Sequence, residues 1–197
     1  MRHLTIFTLG LTFILQSCNG QTQTKKKEIF NKNFNWTISI PEDFETVSPE
    51  QWMKMQNKGA DAIEKTYNEK IENNSKTIFV FKSDQFNYFE SSYQPFDTAI
   101  DGNHDESFSQ VNKLLYGTFE AQMPKAKLDS SSTKETISGL TFNKFKITIL
   151  FPNKMIIEVL MFGRLFNEQE LTINIMTVDK DKQRILLDAW ENSKFGQ

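Results

Sequence analysis

Four successive runs in the C-terminal third restrict the folds open to this chain more than any other feature. They cover about 127–137, 140–151, 154–165 and 170–178, separated by Ser138-Gly139, Pro152-Asn153 and Phe166 to Gln169. Breaks this short can join antiparallel neighbours, whereas parallel strands need a crossover of a dozen residues or more. The spacing therefore predicts a meander. Within it, Met155 to Phe162 (Met-Ile-Ile-Glu-Val-Leu-Met-Phe) is apolar on both parities, the pattern of a central strand with both faces covered.

The layers that cover such a sheet are legible upstream and downstream. Phe34 to Ile40 alternates apolar and polar and stops at Pro41, which cannot donate to a ladder, so it reads as a strand with one face buried. Ser48 then caps a helix with Pro49 at its first position. Gln51 completes a capping box, and Val47 and Trp52 occupy the staple positions. Its stripe of Trp52, Met55, Ile63, Tyr67 and Ile71 carries the helix to about Asn73. Gly59 weakens it by about 1 kcal/mol relative to alanine. Strands are expected at Thr77 to Lys82 and at about Phe89 to Phe96. The loop Asp97 to Glu106 leads into a helix bearing Phe108, Val111, Leu115 and Phe119, which ends by Met123 because Pro124 follows. Asp179 caps a last helix whose Ile185, Leu186, Ala189 and Trp190 face inward. One antiparallel β-sheet covered by helices is an α+β fold, an α/β/α sandwich.

The N-terminus supplies an address rather than an activity. Met1-Arg2-His3 is a basic start, and Leu4 to Leu15 is apolar and uncharged. That length suits a signal-peptide core and falls short of the roughly 20 apolar residues of a spanning helix. Leu15-Gln16-Ser17-Cys18 resembles the lipobox of bacterial lipoproteins, with Gln16 where that pattern has a small or aliphatic residue. The resemblance implies cleavage before Cys18, the chain's only cysteine, whose thiol carries a diacylglycerol and whose new amine is acylated. The alternative is an ordinary secretory signal followed by a free thiol, a liability in an exported protein. Residues 1–17 thus read as signal peptide, 18–32 as lipidated cysteine and flexible tether, and 33–197 as one α+β domain. No acidic cluster follows the cysteine, so a periplasm-facing position on a bacterial envelope membrane is expected.

Trp36 in the opening strand, the Ile40-Pro41 exit, the meander, and the closing stretch "LTINIMTVDKDKQRILLDAWENSKF" together resemble the Mog1/PsbP/DcrB-like group. The resemblance spans about Asn33 to Phe195. It implies that group's sandwich fold and a role as a binding or assembly factor, several members being lipoproteins. The long helix at 49–72 looks like an elaboration of the group's pattern.

Composition narrows the chemistry further. The full chain has 23 Lys+Arg, 25 Asp+Glu and a net charge of −2, and removing residues 1–17 takes away only Arg2. This is no electrostatic footprint for nucleic acid. With His3 also gone, His104 is the one remaining histidine, so histidine-rich zinc sites and cysteine–histidine pairs are excluded from the mature chain. No G-x-S-x-G, P-loop or G-x-G-x-x-G occurs, and no cofactor or metal is expected. Asp101, Asn103 and Asp105 match the first three ligands of a calcium loop, but Glu106 replaces the required glycine and Asn112 stands at the bidentate position. The plainer reading is a turn into a helix, capped by Asp105 or Ser107. Asp97, Asp101, Asp105 and Glu158 form the candidate polar site. Glu158 interrupts an apolar strand, and a buried carboxylate needs a partner. A two-residue Pro152-Asn153 loop puts it opposite Ile147, and a one-residue slip brings it level with Lys146 or Thr148.

Three functional readings follow. The first is a non-enzymatic, lipid-anchored binding or assembly module with an envelope protein partner. The second is a carrier or sensor of a small apolar ligand, and the third a hydrolase using acids around Asp97 to Glu106.

Overall fold

The computed structural model describes residues 27–70 and 74–196. Strands β1 (Lys27–Asn31), β2 (Trp36–Ile40) and β3 (Glu45–Thr46) precede helix α1 (Pro49–Tyr67). Strands β4 (Lys76–Lys82) and β5 (Tyr88–Pro95) lead to α2 (His104–Gln122). The meander β6 (Lys127–Ile137), β7 (Leu140–Leu150), β8 (Ile156–Phe166) and β9 (Gln169–Thr177) is followed by α3 (Lys180–Glu191) and β10 (Lys194–Phe195). Seven strands form one sheet in the order β3-β4-β5-β9-β8-β7-β6, and a smaller sheet has the order β1-β2-β10. Every described pairing is antiparallel, so the molecule is α+β.

Helices α1 and α2 pack against each other over one face of the large sheet. The opposite face is covered by α3 together with the three-stranded sheet, not by helices alone. Its aromatic centre is Trp190, fully buried, with ring centroids 5.1 Å from Phe142, 5.5 Å from Phe162 and 5.9 Å from Trp36. Phe195 of β10 stacks on Trp36 at 5.7 Å. Even strand residues of β8 (Leu160, Phe162) join this core, whereas Ile157 and Met161 join a second core with Phe108, Phe145, Ile147 and Ile149 under α2. The double-sided apolar run of β8 is thus explained by its place between two layers.

Three expectations need correction. The flexible tether does not extend to 32, because Lys27–Asn31 is a strand paired with β2 along its whole length, Ile29 opposite Ile38. Helix α1 stops at Tyr67, where Asn68 takes a left-handed C-cap at φ 54°, and Ile71 lies outside the described residues. The β7–β8 turn is longer than Pro152-Asn153. Phe151 and Met155 close it through Phe151 N–H to Met155 O at 2.9 Å, with Lys154 left-handed at φ 68°, a three-residue loop of the bulged type. The added residue moves the register by one, so Glu158 stands opposite Thr148 rather than Ile147.

Candidate functional site

The four acids singled out in the sequence do not converge. Asp97 and Asp101 brace their own loop: Asp101 Oδ2 accepts from the Asp97 N–H at 2.7 Å, and Asp97 Oδ1 from the Ala99 N–H at 2.8 Å. The α2 cap is Asn103, accepting from the Glu106 N–H at 3.1 Å, rather than Asp105 or Ser107. Asp105 reaches across to Asn143 and Lys134, each at 2.8 Å. Those two partners, Asn143 foremost, hold its carboxyl below the usual range. Three residues of the calcium-like spacing are therefore committed to other donors. Among the described residues no cluster of three or more His, Cys, Asp or Glu could hold a metal. Cys18 lies outside the described residues.

Glu158 is on the aromatic face, away from the other three. Burial pushes its carboxyl up, but Lys146, at 2.6 Å, and Gln183 of α3 pull it net below the usual range. The one-residue register change puts Lys146 and Glu158 on one face of the sheet, so this acid is half of an ion pair that pins α3 to β7 and β8.

Two polar groups that sequence patterning did not single out lie beneath α1 and α2. His104, at the start of α2, sits with its Nε2 2.9 Å from Glu170 Oε1 on β9, and Gln94 of β5 donates to Glu170 Oε2 at 2.7 Å. The His104 and Glu170 side chains are each about one-tenth exposed, and the Phe96 ring meets the imidazole edge-on at 5.3 Å. A small cavity of about 140 Å³ adjoins them, lined by Ser92, Gln94, Phe108 and Thr172 among others. Deeper still, Glu90 is 3% exposed. Desolvation raises its pKa against the opposing pull of Asn174 and Ser92, which are both neutral. The available signal was parity: Glu90, Ser92 and Gln94 recur every second residue along β5, opposite Asn174, Thr172 and Glu170 of β9.

A larger cleft, of about 670 Å³, lies elsewhere, framed by three tight turns at one end of the described residues. The β1–β2 turn brings Asn33 and Asn35, the β6–β7 turn Ser138 and Gly139, and the β8–β9 turn Asn167 and Glu168. Each turn holds a left-handed residue: Asn35 at φ 46°, Ser138 at 51° and Asn167 at 53°. Asparagine tolerates that region better than most side chains, so the turns are preformed. Phe34, Phe166 and Phe195 line the cleft and pack on one another, Phe34 and Phe195 lying 5.3 and 5.7 Å from Phe166. Gly196 fits closely against the same turn, since a Cβ there would fall 2.1 Å from the Asn35 amide. The described lining contains no histidine or lysine and one carboxylate, Glu168. Such a surface can hydrogen-bond and bury apolar groups, and it offers no acid–base pair. A second cleft, about 600 Å³, opens between the β2 exit and α3 around Ile40, Phe44, Ile185 and Ala189.

These features define a PsbP-like α+β fold. The solution structure of cyanobacterial PsbP (CyanoP) from Synechocystis sp. PCC 6803 is similar with a TM-score of 0.56 and 11% identity, covering 92% of this chain and 99% of that one. The Ran-binding protein Mog1p of Saccharomyces cerevisiae aligns at a TM-score of 0.35 and 11% identity, over 84% of each chain. No family model and no curated protein matches the sequence.

Proposed function

We propose that this protein is a non-enzymatic interaction module, held on the periplasmic side of a bacterial envelope membrane through lipidated Cys18, that engages a protein partner at the turn-framed cleft. The observation that carries this reading is the chemistry of that cleft. Phenylalanine walls and asparagine rims on preformed turns suit recognition of another backbone, because amides both donate and accept. The absence of an acid–base pair in the described lining removes the usual basis for proton transfer. The Leu15-Gln16-Ser17-Cys18 stretch supports the anchor, and several acyl chains give stable attachment where one gives marginal binding.

Two measurements test it. A photo-crosslinking residue at Asn167 of the full chain in native membranes is expected to give one discrete protein adduct, with none from the same residue at Lys58 on α1. Identical patterns from both positions overturn the cleft. Cys18→Ser is expected to leave an unprocessed precursor that takes up no radiolabelled palmitate, and normal labelling overturns the anchor.

A further inference from the structure

Strand β6 ends the order of the large sheet. Lys127 and every residue from Asp129 to Lys134 are exposed. An outer strand presents a row of open donors and acceptors to any strand that can lie beside it. Two hydrogen bonds reveal which groups point outward. The Ser130 N–H donates to Asp129 Oδ1 at 3.0 Å, and Leu128 O accepts from the Tyr116 hydroxyl at 3.4 Å. Ladder partners alternate along an antiparallel strand, so the even residues 128, 130, 132 and 134 face away from β7.

We propose that this edge pairs antiparallel with the same edge of a second copy of the chain, about a two-fold axis at Ser131. The argument is one of symmetry and charge. Two identical antiparallel strands are related by a two-fold axis normal to the sheet, which keeps like faces together, so even residues pair with even and odd with odd. Centred on Ser131, the outward groups of Leu128, Ser130, Ser132 and Lys134 meet those of Lys134, Ser132, Ser130 and Leu128. Lys127 then stands opposite the second copy's Glu135, and symmetry repeats the pair. Centred on Ser132, Asp129 faces Glu135 twice, and like charges directly opposite are unfavourable. The Ser131 register therefore wins.

The face on which Lys127 arrives has an acidic surplus. Glu135 is bound by Lys144, and burial followed by repulsion from that same Glu135 pushes the Glu191 carboxyl up. Two carboxylates thus lean on one lysine, and the second copy's Lys127 supplies another cation. Asp129 leaves the Ser130 N–H on pairing and comes to lie opposite a neutral Thr133. This surface is separate from the turn-framed cleft, so the pairing goes beyond the proposed function and does not depend on it.

Disulfide trapping of the full chain in mild detergent tests the register, with the wild-type chain and its native Cys18 as the blank. A non-hydrogen-bonded pair brings Cα atoms to about 4.5 Å, within disulfide reach. Ser131→Cys is expected to form a dimer roughly tenfold faster than Ser130→Cys or Thr133→Cys. Ser132→Pro removes an outward N–H and no bond to β7, so it is expected to weaken dimerisation roughly tenfold with little change in Tm. Lys127→Glu should weaken the dimer, and adding Glu135→Lys should restore it. Equal trapping rates at the three positions, a monomer at millimolar concentration, or a dimer indifferent to Ser132→Pro overturns the proposal. Trapping of Ser131→Cys onto a foreign chain in place of its own copy also overturns it.

Discussion

The two faces of the seven-stranded sheet are built from different materials. The face under α3 and the small sheet is an aromatic mass in which Trp36, Trp190, Phe81, Phe89, Phe142 and Phe162 are all fully buried. The indole N–H groups of Trp36 and Trp190 have no hydrogen-bond partner among the described residues. An unmet buried donor costs about 1–3 kcal/mol, so ring packing there outweighs polar satisfaction. The face under α1 and α2 is mainly aliphatic around Ile147, Ile149 and Ile157. It also keeps a polar strip of Glu90, Asn174, Gln94, Glu170 and His104. The difference teaches where the carboxylates can go. The aromatic face keeps its ring centre uncharged and holds Glu158 and Glu135 in partly exposed ion pairs with Lys146 and Lys144. The other face buries Glu90 and Glu170 among neutral side chains and His104.

The sharpest way to break that comparison is Trp190→Ala. Removing a fully buried indole with ring neighbours on three sides should cost about 3–5 kcal/mol, read from the urea midpoint. A loss below about 1 kcal/mol would mean that the face is loosely filled.

A smaller effect is expected on the other face. A Cβ at Gly163 of β8 would lie 2.6 Å from two ring atoms of Phe108, so glycine is what lets α2 settle onto the sheet. Gly163→Ala should cost about 1–3 kcal/mol through overpacking, and pairing it with Phe108→Leu should recover part of that. A neutral Gly163→Ala would show that α2 has room to shift.

Glu90→Gln gives the smallest change and the clearest separation, because it acts through pH. Burial raises this carboxyl above its usual 4.5, so the folded state holds its proton more tightly than the unfolded state does. Stability from this group is present below the unfolded value and is lost as pH rises through the folded one. The wild-type chain should therefore lose stability from acid towards neutral pH relative to Glu90→Gln. The two should match near pH 4, as about half or more of the group is protonated in both states. Trp190→Ala leaves Glu90 and its partners Asn174 and Ser92 in place, so the contribution of Glu90 to the slope should persist in that variant. Parallel curves for wild type and Glu90→Gln would remove Glu90 as a source of pH response.

What the sequence determined by itself is what local physics controls. The meander was legible nearly to the residue, β6 covering the expected 127–137, because a period-two pattern between short turns leaves few registers. The α1 cap was legible for the same reason, with Ser48 Oγ accepting from the Gln51 N–H at 3.3 Å. Tertiary structure decided the rest. Lys27–Asn31 is polar enough to read as tether and becomes a strand only because β2 lies beside it. Glu158 finds Lys146 only after a left-handed Lys154 shifts the register by one. His104 and Glu170 are separated by 66 positions, and nothing near either residue names the other. The cleft needs three turns from distant parts of the chain to meet at one end. A side chain's intrinsic preference acts over a few neighbours, whereas a partner across the sheet is chosen by the packing of the whole fold.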